Sequence, residues 1–301
     1  MKKWLKCKKS RSIGLSYKYI FKYLYHNICV ARYIKNSLFN SNLTFIFYQK
    51  GVILNREILR EWFGGEALLA NLSSIYIGYK SLISIDPATF EGLNKLENLY
   101  LNGNNLTTLV ASVFWDLTNL RVLELWNSKL KYLPPSLFKN LNKLEQLYLD
   151  VNELSSLNEN LFKNSLAELQ ILDLSSNKLS QLNGSIFGDL KKLVYLGLRF
   201  NELSTLNESL FHNLNSLQIL NLSGNKLTSL PNSVFKDLFQ LRDLRLDDNQ
   251  LTNLNESTFS NIKNLNNLTI YLKKNPITSA QDDYVKNLCR NISKCIIDIS
   301  N

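Results

Sequence analysis

Few residues in this 301-residue chain have the types and spacing that catalysis or metal binding requires. There are two histidines, His26 and His212, and no second histidine or cysteine lies near His212 in its repeat. Metalloprotease, α/β-hydrolase and phosphate-loop motifs are absent from the sequence. Asn102-Gly103-Asn104 and Asp247-Asp248-Asn249 look like fragments of calcium loops, but both occur where a repeated pattern turns, so we interpret them as structural. We therefore predict no enzymatic activity, no catalytic residues, no metal site and no cofactor.

The residues that remain suited to chemistry are those that recognise other molecules, and they recur at a regular interval. Tyr76, Tyr100 and Tyr148 are separated by one or two steps of 24 residues. Exposed Tyr, Trp and Arg side chains contribute much of the binding energy in protein interfaces. Because the spacing is regular, the elements that hold these side chains must themselves repeat.

A pattern of the form L-x-x-L-x-L-x-x-N-x-L occurs eight times, beginning at residues 72, 96, 120, 144, 169, 193, 217 and 241. The Asn position is Lys80 in the first copy and Ser128 in the third. A phenylalanine lies eight residues after the closing leucine of every copy, from Phe90 to Phe259. A coiled coil would need a period of 3.5 residues, which the sequence lacks.

The L-x-L portion of each copy has the period of two that is typical of a β-strand with one apolar face. A single short strand cannot bury its leucines, but stacked copies can pair their strands in parallel and share one core. The asparagine follows the strand where the chain turns inward, and its amide can both donate to and accept from buried backbone groups. We expect the phenylalanines to fill the opposite side of each coil.

These motifs resemble the leucine-rich repeat family, in the typical 24-residue subclass found in Toll-like receptors, small leucine-rich proteoglycans and variable lymphocyte receptors. The resemblance covers residues 72 to about 277. It implies an α/β fold: a leucine-rich repeat solenoid, or horseshoe, with a parallel β-sheet on the concave face and loops or 3₁₀ turns on the convex face. It also implies a non-enzymatic recognition scaffold for protein–protein binding through the concave face, with a glycan as a second class of ligand.

Side chains that alternate with the core leucines are expected to point to the concave face. Neighbours in one column lie one strand spacing apart, about 5 Å. Aromatic residues cluster in the N-terminal half of these columns, and arginine and aspartate mark the C-terminal half. The predicted ligand-binding residues are Tyr76, Tyr100, Glu124, Trp126, Tyr148, Asp150, Asp173, Tyr195, Arg199, Arg245 and Asp247.

The formal net charge of +10 lies entirely in the first 68 residues, which contain 13 basic and three acidic side chains. We assign residues 1–54 to a basic, aromatic N-terminal segment, in which ten basic residues precede Asn36 and no acid occurs. This segment is interpreted as a disordered extension, as a targeting or membrane-surface segment, or as a nucleic-acid-binding segment, the last being the least favoured. The alternative function is accordingly a membrane-associated or receptor-type signalling fragment, anchored through residues 1–50.

Both ends of the repeats need caps, because terminal repeats expose a core face. Residues 55–71 are predicted as the N-terminal cap, with Asn55 beginning a helix over 56–63 that ends at Gly64. Eight repeats then occupy 72–264, and residues 265–301 are assigned to an irregular last repeat and a C-terminal cap. In that last repeat Leu265, Leu268 and Ile270 continue the period, and Asn275 arrives two residues late.

Cysteine usage and location leave two alternatives each. Cys289 and Cys295 form either a disulfide or a pair of free thiols, depending on where the predicted helix before them ends. The repeat subclass favours an extracellular or cell-surface location. The lack of a clear apolar signal run, and of a cysteine cluster before the first repeat, favours the cytoplasm.

Overall fold

The computed structural model describes residues 51–259, 262, 268–277, 287, 290 and 294–296. The hypotheses about residues 1–50, about the helix after Ser279 and about a bond to Cys289 lie outside the described residues. The helices are α1 (Arg56–Phe63), α2 (Glu66–Leu69) and α3 (Glu256–Phe259). The strands are β1 (Val52–Leu54), β2 (Ser74–Tyr76), β3 (Leu82–Ile85), β4 (Asn98–Tyr100), β5 (Val122–Glu124), β6 (Gln146–Tyr148), β7 (Ile171–Asp173), β8 (Tyr195–Gly197), β9 (Ile219–Asn221), β10 (Asp243–Arg245), β11 (Thr269–Tyr271) and β12 (Lys294–Ile296).

Ten of these strands form one parallel sheet, in the order β12-β11-β10-β9-β8-β7-β6-β5-β4-β2. Each repeat adds one strand to the same edge in the same direction, so every pairing is parallel and in register. Leu99 in the middle of β4, for example, pairs with Ile75 on one side and Leu123 on the other. The predicted solenoid with a parallel sheet is confirmed, and no described helix is long and apolar enough to cross a membrane.

The core consists of stacked leucines beneath the sheet and a row of phenylalanines on the far side. The leucines of the L-x-L motifs and the eight phenylalanines are at most 1% exposed. Turns closed by i→i+3 hydrogen bonds carry the chain along this far side, as from Leu93 N to Phe90 O at 3.1 Å. Phe138 and Phe162 stack with centroids 6.1 Å apart, whereas paired strands are about 4.8 Å apart. The phenylalanine side is therefore the longer one, and the sheet lies on the concave face.

Asparagines just after the strands form a ladder of buried hydrogen bonds between repeats. Asn177 Nδ2 donates to Leu149 O and to Leu174 O, both at 3.0 Å. Its Oδ1 accepts from Leu154 N at 3.0 Å. One side chain thus satisfies backbone groups of two successive repeats, because an amide both donates and accepts.

The ladder adapts where an asparagine is missing. Ser128 Oγ donates to Leu101 O at 3.3 Å, and the Ser128 carbonyl accepts from Leu106 N at 2.8 Å. Lys129 next to it has a positive φ of 59°, as Ser81 next to Lys80 has one of 56°. The turn therefore changes its backbone conformation at the two substituted repeats so that the buried N–H groups keep partners.

The residue before each ladder position has a left-handed backbone, with φ between 52° and 70°. Only Gly103 and Gly224 among these nine residues are glycines; the others are Tyr79, Asn127, Val151, Ser176, Phe200, Asp248 and Lys274. A non-glycine residue there costs on the order of 1 kcal/mol. The stacking of repeats must compensate for this strain.

The register predicted for the last repeat is wrong by two residues. Ile270 pairs with Leu244 in the middle of β10, so Ile270 and Leu272 are the two strand apolar residues. Asn275 occupies the ordinary ladder position of this repeat. Its Nδ2 donates to Leu246 O at 2.9 Å and to Leu272 O at 3.0 Å, the same two kinds of backbone carbonyl that the other ladder asparagines bind. Ile270 and Leu272 lie 26 residues after Leu244 and Leu246, so β10 and β11 are two residues further apart in sequence than the usual 24.

At the N-terminal side, Asn55 begins α1 by accepting a hydrogen bond from Ile58 N at 2.9 Å, and Gly64 ends it with a φ of 81°. The predicted helix bounds are therefore confirmed. Leu59 is fully buried against the core, while Trp62 and Phe63 pack on it half-buried. Strand β1 pairs with β3, with Val52 opposite Leu82, so the folded region already includes Val52.

Candidate ligand-binding face

The outward residues of the parallel sheet form the surface that we call the concave face. It consists of the first and third residues of each strand from β2 and β4 to β11, and of the residue two positions after each strand. The middle residue of each strand points into the core and is fully buried, as Leu99 and Leu123 are. Every predicted binding residue lies on this face, because the period of two holds in all these strands.

An aromatic patch, formed by Tyr76, Tyr79, Tyr100 and Trp126, covers the N-terminal part of this face. The Tyr76 and Tyr100 rings stack with centroids 4.4 Å apart and planes 6° from parallel. Tyr79 meets Trp126 edge-on, at 5.9 Å and 75°. Tyr76 is 44% exposed and Tyr79 53% exposed, so this patch presents aromatic surface to a partner.

Tyr79 belongs to the patch although the sequence did not point to it. It occupies a left-handed position, with φ 55°, which turns its side chain over the next repeat. A Cβ built on Gly103 would lie 2.3 Å from the Tyr79 ring. Phe200 lies over Gly224 in the same manner, with a distance of 2.1 Å. The signal that could have revealed Tyr79 is the glycine 24 residues later.

The three carboxylates of the middle repeats, Glu124, Asp150 and Asp173, form what we call the acidic centre. Glu124 is only 3% exposed and accepts a hydrogen bond from Trp126 Nε1 at 3.0 Å. Asp150 is 4% exposed. These two predicted residues are therefore buried beneath the surface of the face rather than exposed on it.

Asp173 is half-buried, and burial raises the pKa of its carboxyl group. Its Oδ1 accepts from Ser175 N at 3.0 Å, and Tyr195 OH lies 3.5 Å from Oδ2. The next strand has Gly197 at the equivalent position, where a Cβ would lie 2.4 Å from Asp173 Oδ1. The Asp173 carboxylate thus occupies the space above a residue that has no side chain.

Tyr79 and Tyr100 keep their protons at neutral pH. Burial, with the neighbouring Tyr76 and Glu124, raises the pKa of Tyr100, and burial raises that of Tyr79. Tyr148 is 8% exposed and donates its hydroxyl to Gln146 Oε1 at 3.1 Å. It is the most deeply buried of the predicted aromatic binding residues, so its side chain offers little surface to a ligand.

In the C-terminal half of the face, Arg245 forms an ion pair with Asp243. Arg245 donates two hydrogen bonds to Asp243, at 2.9 and 3.1 Å, and these raise the pKa of Arg245. Its guanidinium lies 5.0 Å from the centroid of the Tyr271 ring. Tyr271 was not among the predicted binding residues, because the register predicted for the last repeat was wrong.

The two remaining predicted residues of this half are set apart from the aromatic patch by several strands. The Arg199 guanidinium lies 4.0 Å from the centroid of the Phe200 ring. Asp247 Oδ1 accepts from Lys273 N at 3.2 Å, and burial raises the pKa of Asp247. The aromatic patch and these charged residues therefore lie towards opposite ends of the face, with Asp150 and Asp173 between them.

No cluster of three His, Cys, Asp or Glu side chains suited to a metal ion occurs among the described residues. His212 lies on a turn of the far side with its Nδ1 3.2 Å from Asp237 Oδ2, a neighbour from the next repeat that the sequence analysis did not pair with it. His212 is exposed and Asp237 is partly buried, and neither belongs to the concave face.

Comparison with known proteins identifies the repeats. A family model described as leucine rich repeat matches residues 70–125, 118–165, 167–227 and 217–277. No curated protein gives a significant match. The solved structure of the TLR13-ssRNA13 complex is 32% identical, with a TM-score of 0.67, over 74% of this chain and 31% of that chain.

Two structures of the Toll–Spätzle complex of Drosophila are similar in fold. The glycosylated form is 23% identical with a TM-score of 0.70, over 84% of this chain and 34% of that one. The other is 24% identical with a TM-score of 0.58, over 78% and 38%. This chain spans about a third of the length of the solved structures that it matches.

Proposed function

Because the chain belongs to the leucine-rich repeat family, we propose that it is a non-enzymatic recognition scaffold that binds a protein ligand through the concave face of its sheet. The observation that carries this proposal is the aromatic patch. Four large rings lie side by side on a rigid sheet, and two of them, Tyr76 and Tyr79, are about half exposed. Aromatic side chains held in place lose little entropy on binding and are typical centres of interfaces.

The comparison with TLR13 supports a ligand-binding role, since that protein forms a complex with ssRNA13 and has similar repeats at 32% identity. For this chain we favour a protein ligand, because the first five repeats have no lysine or arginine in the three outward columns. Binding of single-stranded nucleic acid requires cations along the phosphate backbone in addition to aromatic platforms.

The test selects peptides from a random dodecapeptide library on the full chain and measures their affinity by fluorescence anisotropy. Tyr76→Ala and Trp126→Ala should each weaken binding by about 2 kcal/mol, which is roughly 30-fold in Kd. Tyr132→Ala is the matched control, because Tyr132 is 48% exposed but lies outside the concave face.

The control variant should bind as the unaltered chain does. If the selected peptides bind Tyr76→Ala and Trp126→Ala with unchanged affinity while circular dichroism shows an intact fold, the concave face is not the binding surface. In that case the proposal is rejected.

A further inference from the structure

The concave face carries a charge opposite to that of the chain as a whole. The chain has a formal net charge of +10, but the outward columns of the first five repeats contain Glu124, Asp150 and Asp173 and no basic residue. The nearest outward cation along the sheet is Arg199, in the sixth repeat. This part of the face is therefore locally negative, beside the aromatic patch.

The depth of the carboxylates strengthens their effect on a bound ligand. Glu124 and Asp150 are 3% and 4% exposed, so little solvent and salt separates them from a group that covers the face. Charges in such surroundings are screened much less than charges in bulk water. A ligand that covers the face would gain from bringing a positive charge over them and would lose by bringing a negative one.

Asp173 offers the most direct contact for a cation. It is the least buried of the three carboxylates, and it lies above Gly197, where the sheet has no side chain. Ser175 N and Tyr195 OH donate to its two oxygens, at 3.0 and 3.5 Å. A Cβ on Gly197 would meet the Asp173 carboxyl group and the Ser175 hydroxyl, so these two side chains already occupy the space over Gly197 and the carboxylate lies flat across the sheet there.

We propose, on the basis of the function proposed above, that the partner presents an extended basic segment, with a lysine or arginine side chain paired with the Asp173 carboxylate. Apolar or aromatic residues of the same segment lie on the aromatic patch. The carboxylates of the face attract such a positively charged segment and repel a polyanion. Trp126 follows β5 and Asp173 ends β7, two strand spacings or about 10 Å apart, so about three residues of extended chain separate the cation from the apolar contact.

The test sequences the dodecapeptides selected on the full chain and measures the affinity of the best binder for two altered chains. The selected peptides should be enriched in lysine and arginine over the unselected library, about three residues from an aromatic or aliphatic residue. Asp173→Asn should raise Kd roughly tenfold or more, because the cation would lose its charged partner. Gly197→Ala should weaken the same peptide, because the new Cβ would displace the Asp173 carboxylate.

Asp248→Asn is the matched control, since Asp248 is exposed, lies outside the outward columns and pairs with Lys274. It should leave Kd unchanged, and thermal melting should show that all three altered chains are folded. A labelled oligouridine, tested in parallel, should not compete with the selected peptide.

The outcomes separate this inference from the function on which it rests. Peptides that need Trp126 but are neutral or acidic, or that bind Asp173→Asn with unchanged affinity, overturn the basic-segment inference and leave the scaffold function standing. Competition by oligouridine that also depends on Trp126 overturns it in favour of nucleic acid. Peptides that do not depend on Trp126, or the failure to select any binder, count against both proposals.

Discussion

Replacing Asn201 with alanine tests whether the asparagine ladder is what joins one repeat to the next. Asn201 is 6% exposed, and its Oδ1 accepts from Leu179 N at 3.1 Å. Its Nδ2 donates to Leu174 O at 3.0 Å and to Leu198 O at 3.2 Å. The substitution therefore removes three hydrogen bonds from buried backbone at once.

The three losses differ in cost, because two of the backbone groups have a second partner. Leu174 O also accepts from Asn177, and Leu198 O also accepts from Asn225, so each carbonyl keeps one hydrogen bond. Leu179 N loses its asparagine partner and stays buried, which costs about 1–3 kcal/mol, while each carbonyl loses about 0.5–1.5 kcal/mol. These costs add up to about 2–6 kcal/mol, so we expect Asn201→Ala to lower the free energy of unfolding by about 4 kcal/mol.

The assay is urea denaturation followed by far-ultraviolet circular dichroism, with amide hydrogen exchange to locate the loss. Protection should fall most for the amides of the fifth and sixth repeats, because each ladder residue binds its own repeat and the one before it. Asn215→Ala is the matched control: Asn215 is exposed on a turn, so its substitution should change stability by less than about 0.5 kcal/mol. A loss of under about 1 kcal/mol for Asn201→Ala, or exchange that rises evenly over all repeats, would refute this account of the ladder.

Two further substitutions test the strain and the electrostatics of the face. Gly103→Ala should destabilise the fold by about 1–2 kcal/mol, because the backbone at Gly103 has a φ of 70°. It should also change the fluorescence of Trp126, because the new Cβ would lie 2.3 Å from the Tyr79 ring that contacts Trp126. Gly92→Ala is the matched control for the backbone cost alone, since Gly92 has a φ of 69° and open space around it, and it should leave the fluorescence unchanged. Burial raises the pKa of Asp173 above its ordinary value of 3.8, so the folded state binds the proton more tightly and stability should fall as the pH rises from 3.8 through the raised pKa. Asp173→Asn should remove this part of the slope in urea denaturation measured from acid to neutral pH, and an unchanged slope would contradict the assignment.

The repeat, the parallel sheet, the buried phenylalanines and the bounds of α1 could all be predicted from local patterns. Periodicities of 2 and 24 determine which face of a strand is apolar and which coils are equivalent, and Asn55 with Gly64 marks the ends of a helix through local hydrogen bonding. The outward columns were predictable for the same reason. The register of the last repeat was not, because Leu265 and Leu268 imitate the motif, whereas the pairing of Ile270 and the hydrogen bonds of Asn275 determine it.

The depth and grouping of the outward side chains were decided by the tertiary structure alone. The sequence by itself determined that Glu124, Tyr148 and Asp173 share one column, but whether each is buried depends on which neighbouring side chains fold over it. Tyr79 joins the aromatic patch because a left-handed backbone turns it across Gly103, and the Asp173 carboxylate lies over Gly197 because that residue, on the adjacent strand, has no side chain. A periodic sequence repeats its core and its hydrogen bonds, whereas a binding surface arises from departures from the period, and these act through contacts between residues that are 24 positions apart.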